Sequence, residues 1–291
     1  MLSQDGSEQL SIDVLVTNGI YAAGVLLLAR WLITTSLGRK ALVNAPPRRN
    51  RMSPIVPLIP LSIWFIGAAL LQPLVHQLIR PHEQWQEVFL DNVVFCATAL
   101  FTVAVMLFIA ERTFARGLKG LGLRPRTIPK DLGLAFVNLL AVWPVVTAVV
   151  VLTIEAGKAL LGPEFEMPKH MGLEIVTESN APALQVLIVI LAVVIAPLVE
   201  ETLFRGLIQT VFRSYFGSPW LAIAITSAMF AFIHVDFQDP VYITHIPALF
   251  ALSIGLGYTY EKSGSLFRSI FMHALFNAVS ILAALSEQAP A

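Results

Sequence analysis

The sequence predicts an all-α, polytopic integral membrane protein with about eight transmembrane helices. Two observations carry this fold class. Of the 291 residues, 56% are hydrophobic and only 13% are charged, whereas a soluble domain carries about 25% charged residues. Apolar runs of the length that spans a bilayer, about 20 residues, also recur along the whole chain. The formal net charge of zero gives no indication of a nucleic-acid partner.

Eight apolar runs are long enough to be spans. They cover residues 14–37, 54–79, 88–110, 132–154, 182–212, 218–235, 243–261 and 265–285. The tail before the first run carries Asp5, Glu8 and Asp13 and no basic residue, unlike the positive n-region of a cleaved signal peptide. We therefore expect the first run to remain in the membrane.

Charge alternates between the two sides of these spans. The basic residues lie in every second connection: Arg39, Lys40, Arg48, Arg49, Arg51, Arg112, Arg116, Lys119, Arg124, Arg126, Lys130, Arg213, Lys262 and Arg268. The other connections are acidic, including a loop with Asp236 and Asp239 and a tail with Glu287. The positive-inside rule then predicts that both termini lie outside the cytoplasm. The expected location is the plasma (inner) membrane of a bacterium.

A glycine-rich, basic segment at 117–126 divides the chain into two regions. We expect it to be a cytoplasmic connector. The first region, 1–130, would contain three spans and this connector. The second, 131–291, would be a catalytic membrane domain with its core motifs in 182–285. The external loop at 162–181 has room for a short surface helix.

The fifth span contains two adjacent carboxylates, Glu200 and Glu201, followed by Arg205. Ionisable groups at bilayer depth are costly and are candidates for function. Glu201 and Arg205 are four apart on a helix and can pair, while Glu200 is rotated about 100° away. This geometry suggests one structural carboxylate and one that is free for proton chemistry. The alternative is a helix end whose charges reach the membrane interface.

Two later spans carry histidines at similar spacings. One contains Phe230 and His234, and the last contains His273 and Asn277, again four apart. Each taken alone also fits a structural residue, because His and Asn form hydrogen bonds between membrane helices. Taken together, a carboxylate and a histidine can activate water, and a second histidine with an asparagine can stabilise an oxyanion. The combination indicates hydrolysis of a peptide bond.

The three motifs EExxxR, FxxxH and HxxxN, in this order, resemble those of the CAAX protease and bacteriocin-processing (CPBP, or ABI) family. The resemblance covers about residues 182–285 and implies a fold similar to the type II CAAX prenyl endopeptidase, a glutamate-type intramembrane protease. It implies that Glu200 and His234 activate water and that His273 and Asn277 form an oxyanion hole. It further implies that the supporting residues are Glu201, Arg205 and Phe230, with Phe230 packing rather than reacting.

Cofactor and partner expectations follow from the same residues. Two histidines and a glutamate could ligate zinc, but the chain lacks HExxH and the resemblance favours a metal-free mechanism, so no cofactor is expected. The expected partners are the lipid bilayer and a membrane-associated or lipidated protein or peptide substrate. The alternatives are a non-catalytic scaffold or bacteriocin-immunity-type binding protein, and a transporter, which the lack of matching halves disfavours.

Overall fold

The computed structural model describes residues 5–45, 47–168, 171–235 and 240–286. The loop with Asp236 and Asp239 and the tail with Glu287 lie outside these residues. Ten helices are described: α1 (Asp5–Thr34), α2 (Leu58–Ile79), α3 (Gln84–Thr113), α4 (Gly117–Leu121), α5 (Ile128–Leu161), α6 (Met171–Glu178), α7 (Pro182–Phe216), α8 (Pro219–Ile233), α9 (Ile246–Ser263) and α10 (Leu266–Ser286).

The all-helical fold class is confirmed over the described residues. Six helical stretches are long and apolar enough to cross a membrane, and they contain α2, α3, α5, α7, α9 and α10. Two further apolar helices are shorter, at Asn18–Thr34 within α1 and Pro219–Ile233. At 1.5 Å per residue, α8 is only about 22 Å long, less than the roughly 30 Å of hydrocarbon. A count of eight full spans therefore stays a prediction.

Helix α7 lies at the centre of the bundle. It packs against α3, α6, α8, α9 and α10, while α5 packs on the other side against α1, α9 and α10. The largest core cluster joins α7 residues such as Leu203 and Leu207 to Val103 and Met106 of α3. The region that the sequence sets apart as N-terminal thus shares a core with the motif-bearing helices.

Two π-helical segments, Leu191–Ile195 and Thr202–Gln209, interrupt α7. Between them, an α-helical segment, Ala196–Glu201, carries both carboxylates. A π turn widens the helix and leaves some backbone groups available for other partners, and such turns are frequent at functional sites. Arg205 falls in the second π segment, so the first motif spans a change of helical pitch.

The basic loops gather at one end of the bundle, as the charge alternation predicts. Arg48 donates a 2.7 Å hydrogen bond to the Tyr260 carbonyl and forms a 3.3 Å ion pair with Glu261. Arg213 donates to the other oxygen of Glu261 at 3.0 Å, and the Lys262 ammonium donates to the Ala41 carbonyl. We call this the basic end. It joins the first connection to the ends of α7 and α9.

The glycine-rich connector is more than a linker, because it folds into α4 and closes the basic end. Leu121 is fully buried, and its carbonyl accepts a 2.9 Å hydrogen bond from the Tyr260 hydroxyl. A Cβ atom added at Gly206 of α7 would come within 3.0 Å of the Leu121 side chain. The connector therefore packs directly beneath α7 and α9.

Candidate active site

Glu201 is the centre of a hydrogen-bonded cluster. Its Oε1 atom accepts from Arg205 Nη1 at 2.7 Å and from His273 Nδ1 at 2.9 Å. Its Oε2 atom accepts from the Ser269 hydroxyl at 2.5 Å. The side chains of Glu201 and Arg205 are fully buried. The pairing expected from the spacing of Glu201 and Arg205 is present, and two residues of α10 complete it.

Arg205 connects this cluster to α9. Its Nη2 atom donates to the Ser253 hydroxyl at 2.7 Å and to the Ser253 carbonyl at 3.2 Å. Its guanidinium also lies 4.7 Å from the centre of the Phe230 ring, within the range of a cation–π contact. A buried arginine needs this number of partners, because an unpaired charge at this depth is strongly destabilising. We refer to Glu201, Arg205, Ser253, Ser269 and His273 as the Glu201 cluster.

Glu200 is the neighbour of Glu201 in the chain, but its surroundings differ. Its Oε2 atom lies 3.7 Å from His234 Nε2 and 3.9 Å from His273 Nε2. Both separations exceed a direct hydrogen bond, which is about 2.7–3.2 Å. The Glu200 carboxylate is therefore held less tightly than that of Glu201, whose three donors lie within 2.9 Å.

The contacts of the two histidines determine which ring nitrogens face Glu200. His234 Nδ1 is 2.7 Å from the Phe230 carbonyl, which can only accept, so Nδ1 carries the hydrogen. His273 Nδ1 faces the carboxylate of Glu201 and donates for the same reason. In each neutral ring, Nε2 then carries a lone pair that is directed at Glu200.

Phe230 packs among the site residues. Its ring centre is 5.2 Å from that of Phe204, 4.5 Å from that of His234 and 5.9 Å from that of His273. Only 1% of Phe230 is exposed. The ring therefore contacts both the guanidinium of Arg205 and the imidazole of His234.

Asn277 lies apart from these contacts. Its amide nitrogen donates a 2.7 Å hydrogen bond to the Ala192 carbonyl, in the first π segment of α7. His273 and Asn277 thus have different hydrogen-bond partners, although they lie on the same face of α10. One amide hydrogen of Asn277 is used by α7, and the second N–H is the donor that an oxyanion role would need.

Ser253 and Ser269 are site residues that sequence reasoning did not single out. Ser253 belongs to a regular set of contacts between α7 and α9, in which each partner is 48 positions further along the chain. Arg205 contacts Ser253, Gln209 contacts Gly257 at 3.1 Å, and Arg213 contacts Glu261. The matching four-residue spacings in the two helices are a signal that could have been found, once the helices were assumed to be neighbours.

Among the described residues, no group of three or more His, Cys, Asp and Glu side chains is arranged to hold a metal ion. A metal-free site stays a prediction.

The fold and the site together define an all-helical integral membrane protein with a carboxylate–histidine centre between its helices. Residues 182–279 match the protein family described as Type II CAAX prenyl endopeptidase Rce1-like. This match confirms the predicted resemblance to the CPBP family and supports a CAAX-type intramembrane protease.

One similar protein is the uncharacterized 24.3 kDa protein of Escherichia coli, which is 30% identical over 129 residues. The aligned region is 43% of this chain and 57% of that protein, so the chain spans less than two thirds of its relative. No solved structure is significantly similar to this chain.

Proposed function

We propose that this protein is an intramembrane endopeptidase that hydrolyses a peptide bond in a membrane-associated or lipidated protein. The observation that carries the proposal is the convergence of Glu200 with two histidine Nε2 atoms at 3.7 and 3.9 Å. A carboxylate and a lone-pair nitrogen that face one point can hold and deprotonate a water molecule.

In the proposed first step, Glu200 and His234 hold the water. Its oxygen attacks the carbonyl carbon of the substrate while Glu200 takes one of its protons. The carbonyl π electrons move to the oxygen and give a tetrahedral oxyanion. In the second step, the oxyanion collapses, the C–N bond breaks, and Glu200 returns its proton to the leaving amine. Glu200 is thus regenerated, and one water molecule is consumed.

The oxyanion would be stabilised by His273 and Asn277. Because His273 Nδ1 already donates to Glu201, its Nε2 atom can donate to an oxyanion only when the ring is protonated. A protonated His273 would also balance the local charge, since Glu200 and Glu201 are otherwise offset by Arg205 alone. Asn277 would contribute the amide hydrogen that does not bond to Ala192.

In this proposal, the other four residues of the Glu201 cluster position His273 and take no part in the chemistry. Glu201 fixes the Nδ1 side of the ring, as a carboxylate that orients a histidine does in other hydrolases. Arg205, Ser253 and Ser269 hold that carboxylate. Three donors to Glu201, at 2.5–2.9 Å, leave it poorly suited to exchange protons.

The proposal can be tested with purified protein in liposomes. The substrate mixture is the membrane proteome of cells that lack this protein. Wild-type protein should produce new peptide termini, and Glu200→Ala or His234→Ala should reduce their formation by roughly 10²–10⁴-fold, the usual contribution of a general base. Both variants should keep the wild-type thermal unfolding midpoint. Cleavage by both variants at the wild-type rate, or complementation of a deletion strain by Glu200→Ala, would favour the non-catalytic scaffold.

A further inference from the structure

We infer that the connector side of the basic end binds the headgroups of anionic phospholipids. The binding surface consists of six basic residues between the last turn of α3 and the first turn of α5, namely Arg112, Arg116, Lys119, Arg124, Arg126 and Lys130. We call these six residues the connector patch. This binding does not depend on the proposed protease activity. It is supported by the free charges of the patch, by its depth relative to the bilayer and by its attachment to the bundle.

The cations of the connector patch are exposed and unpaired. All six side chains are exposed. In the part of the chain that the structure describes, none of the six forms an ion pair with a carboxylate. The far end of α5 differs, because the Lys158 ammonium there pairs with Glu155 at 3.2 Å. A group of like charges without internal partners attracts counter-ions from outside the protein.

The two acidic residues next to the patch are already engaged within the bundle. Glu111 Oε2 accepts a 2.9 Å hydrogen bond from the Leu118 N–H at the start of α4. Asp131, which is 1% exposed, accepts from the Ser265 hydroxyl at 2.6 Å and from the Arg268 guanidinium at 2.8 and 2.9 Å. Six exposed cations thus lie beside two carboxylates that have other partners, and the surface keeps a net positive charge.

The exposed face of α3 places the patch at the edge of the hydrocarbon layer. Phe101 and Phe108 are 61% and 62% exposed, and Arg112 follows them on the same helical face, eleven and four positions further on. Because α3 is apolar and long enough to span a membrane, large exposed side chains on this face contact acyl chains. The Arg112 guanidinium lies 5.1 Å from the centre of the Phe108 ring, so its stem runs along the apolar face and its charge lies at the end of it.

The start of α5 shows the same transition from lipid-facing to charged side chains. Lys130 lies three and seven positions before Gly133 and Val137, on one helical face, and all three residues are exposed. The patch is therefore bounded on both sides by helical faces that contact acyl chains. The phosphates of lipid headgroups already lie at this level, whereas an acidic protein or a nucleic acid would have to approach from the water.

The connector that carries the patch is fixed to two of the motif-bearing region's helices. The Leu121 carbonyl accepts a 2.9 Å hydrogen bond from the Tyr260 hydroxyl of α9, and the Gly122 carbonyl accepts a 3.2 Å bond from the Leu266 N–H of α10. Gly122 has a φ of 106°, and a Cβ atom there would lie 2.7 Å from the Leu266 nitrogen. A surface that is held in this way loses little conformational entropy when it binds a ligand.

Native mass spectrometry of the full-length protein measures this binding directly. The protein is released from detergent micelles that contain equal amounts of phosphatidylglycerol and phosphatidylcholine with identical acyl chains, so the net charge of the headgroup distinguishes the two lipids. The connector variant is Arg112→Gln combined with Lys130→Gln. The matched control, Arg80→Gln combined with Lys158→Gln, removes two exposed basic residues from the opposite end of the bundle.

We expect the wild-type protein to retain phosphatidylglycerol in preference to phosphatidylcholine. The connector variant should lose this preference by about fivefold for each removed cation, the usual effect of a basic residue beside an anionic leaflet, and the control should behave like the wild type. Equal retention of both lipids by the wild type, or an equal loss in the two variants, would overturn the inference. If the connector variant does not fold, Arg116→Gln combined with Lys119→Gln tests the same patch.

Two competitors distinguish lipid headgroups from other anions. Glycerol 3-phosphate has a phosphate group without acyl chains, and polyglutamate represents an acidic protein surface. Neither should displace phosphatidylglycerol at an equal concentration of charge. Displacement by glycerol 3-phosphate would assign the patch to a soluble phosphate compound, and displacement by polyglutamate would assign it to an acidic protein, so either result would overturn lipid binding.

The ionic strength provides a further test of binding through charge. Raising ammonium acetate from about 0.1 M to about 1 M shortens the Debye length from about 10 Å to about 3 Å. The preference of the wild-type protein for phosphatidylglycerol should fall accordingly. A preference that does not change with salt would contradict binding by exposed cations.

Discussion

Glu200 and Glu201 are adjacent in the chain, yet they lie in two regions with opposite properties. The Glu201 cluster is closed, and its carboxylate accepts three hydrogen bonds of 2.5–2.9 Å. Around Glu200, the two facing nitrogens are 3.7 and 3.9 Å away. A carboxylate held by three donors can orient its neighbours, whereas one with fewer close donors is better placed to exchange a proton.

The largest expected effect on stability comes from breaking the closed region. Glu201→Ala leaves Arg205 buried without its carboxylate, and breaking a buried ion pair costs about 3–5 kcal/mol. We expect a clear fall in the thermal unfolding midpoint in detergent. The control is Glu155→Ala, whose pair with Lys158 is exposed and should contribute about 0–1 kcal/mol. Equal midpoints for the two variants would remove the distinction between Glu201 and a surface carboxylate.

Substitution of Asn277 tests whether the last motif acts in the reaction or only forms a hydrogen bond to α7. An oxyanion donor contributes roughly 10²–10³-fold to kcat, so Asn277→Ala should lower kcat by that factor and leave KM nearly unchanged. The matched control is Asn138→Ala, because Asn138 also donates an interhelical hydrogen bond, to Thr259 at 3.2 Å. A variant that melts earlier but has the wild-type kcat would assign Asn277 to its bond with Ala192.

Substitution of Ser269 tests whether the Glu201 cluster affects the surroundings of Glu200 through His273. Ser269→Ala removes one donor from a buried carboxylate, and hydrogen bonds to charged groups contribute about 1.5–3 kcal/mol. We expect a loss of about tenfold in kcat, corresponding to about 1.4 kcal/mol, with recovery in Ser269→Thr. Ser280→Ala is the control, since the Ser280 hydroxyl bonds only within its own helix. If Ser269→Ala lowers stability but not kcat, the serine is structural.

The smallest expected effect is that of a chelator. If Glu200 acts on water directly, EDTA or 1,10-phenanthroline should leave cleavage unchanged after prolonged incubation. Inhibition that added zinc reverses would show instead that Glu200, His234 and His273 bind a metal, and the two carboxylate regions would then differ in ligation rather than in hydration.

Much of the fold was predictable because a bilayer constrains the sequence strongly. The fifth predicted span, 182–212, corresponds to α7 at Pro182–Phe216, and the last, 265–285, corresponds to Leu266–Ser286. The predicted loop helix in 162–181 is present at Met171–Glu178. The length of α8 was overestimated by a few residues, since the apolar run continues past the point at which the helix ends.

The candidate site was only partly predictable. The Glu201–Arg205 pair follows from helical spacing alone, because both partners lie on one helix. If the helices were straight, counting residues from the basic end would place His273 closer to that end than Glu200 or His234. No local feature of the sequence shows that the three side chains meet. The start of α10 is held on the connector, where the Leu266 N–H donates to the Gly122 carbonyl at 3.2 Å, and the connector also accepts a bond from Tyr260 of α9. That arrangement depends on contacts between residues more than a hundred positions apart.

The sequence by itself determined the membrane-spanning helices, the basic end, the three motifs and the different orientations of the two carboxylates. These depend on composition and on the 3.6-residue period, which are local properties. Only the tertiary structure decided that Ser253 and Ser269 complete the Glu201 cluster, that the connector closes one end, and that His234 and His273 meet at Glu200. Those features depend on which helices become neighbours, and side-chain packing between distant segments sets that choice.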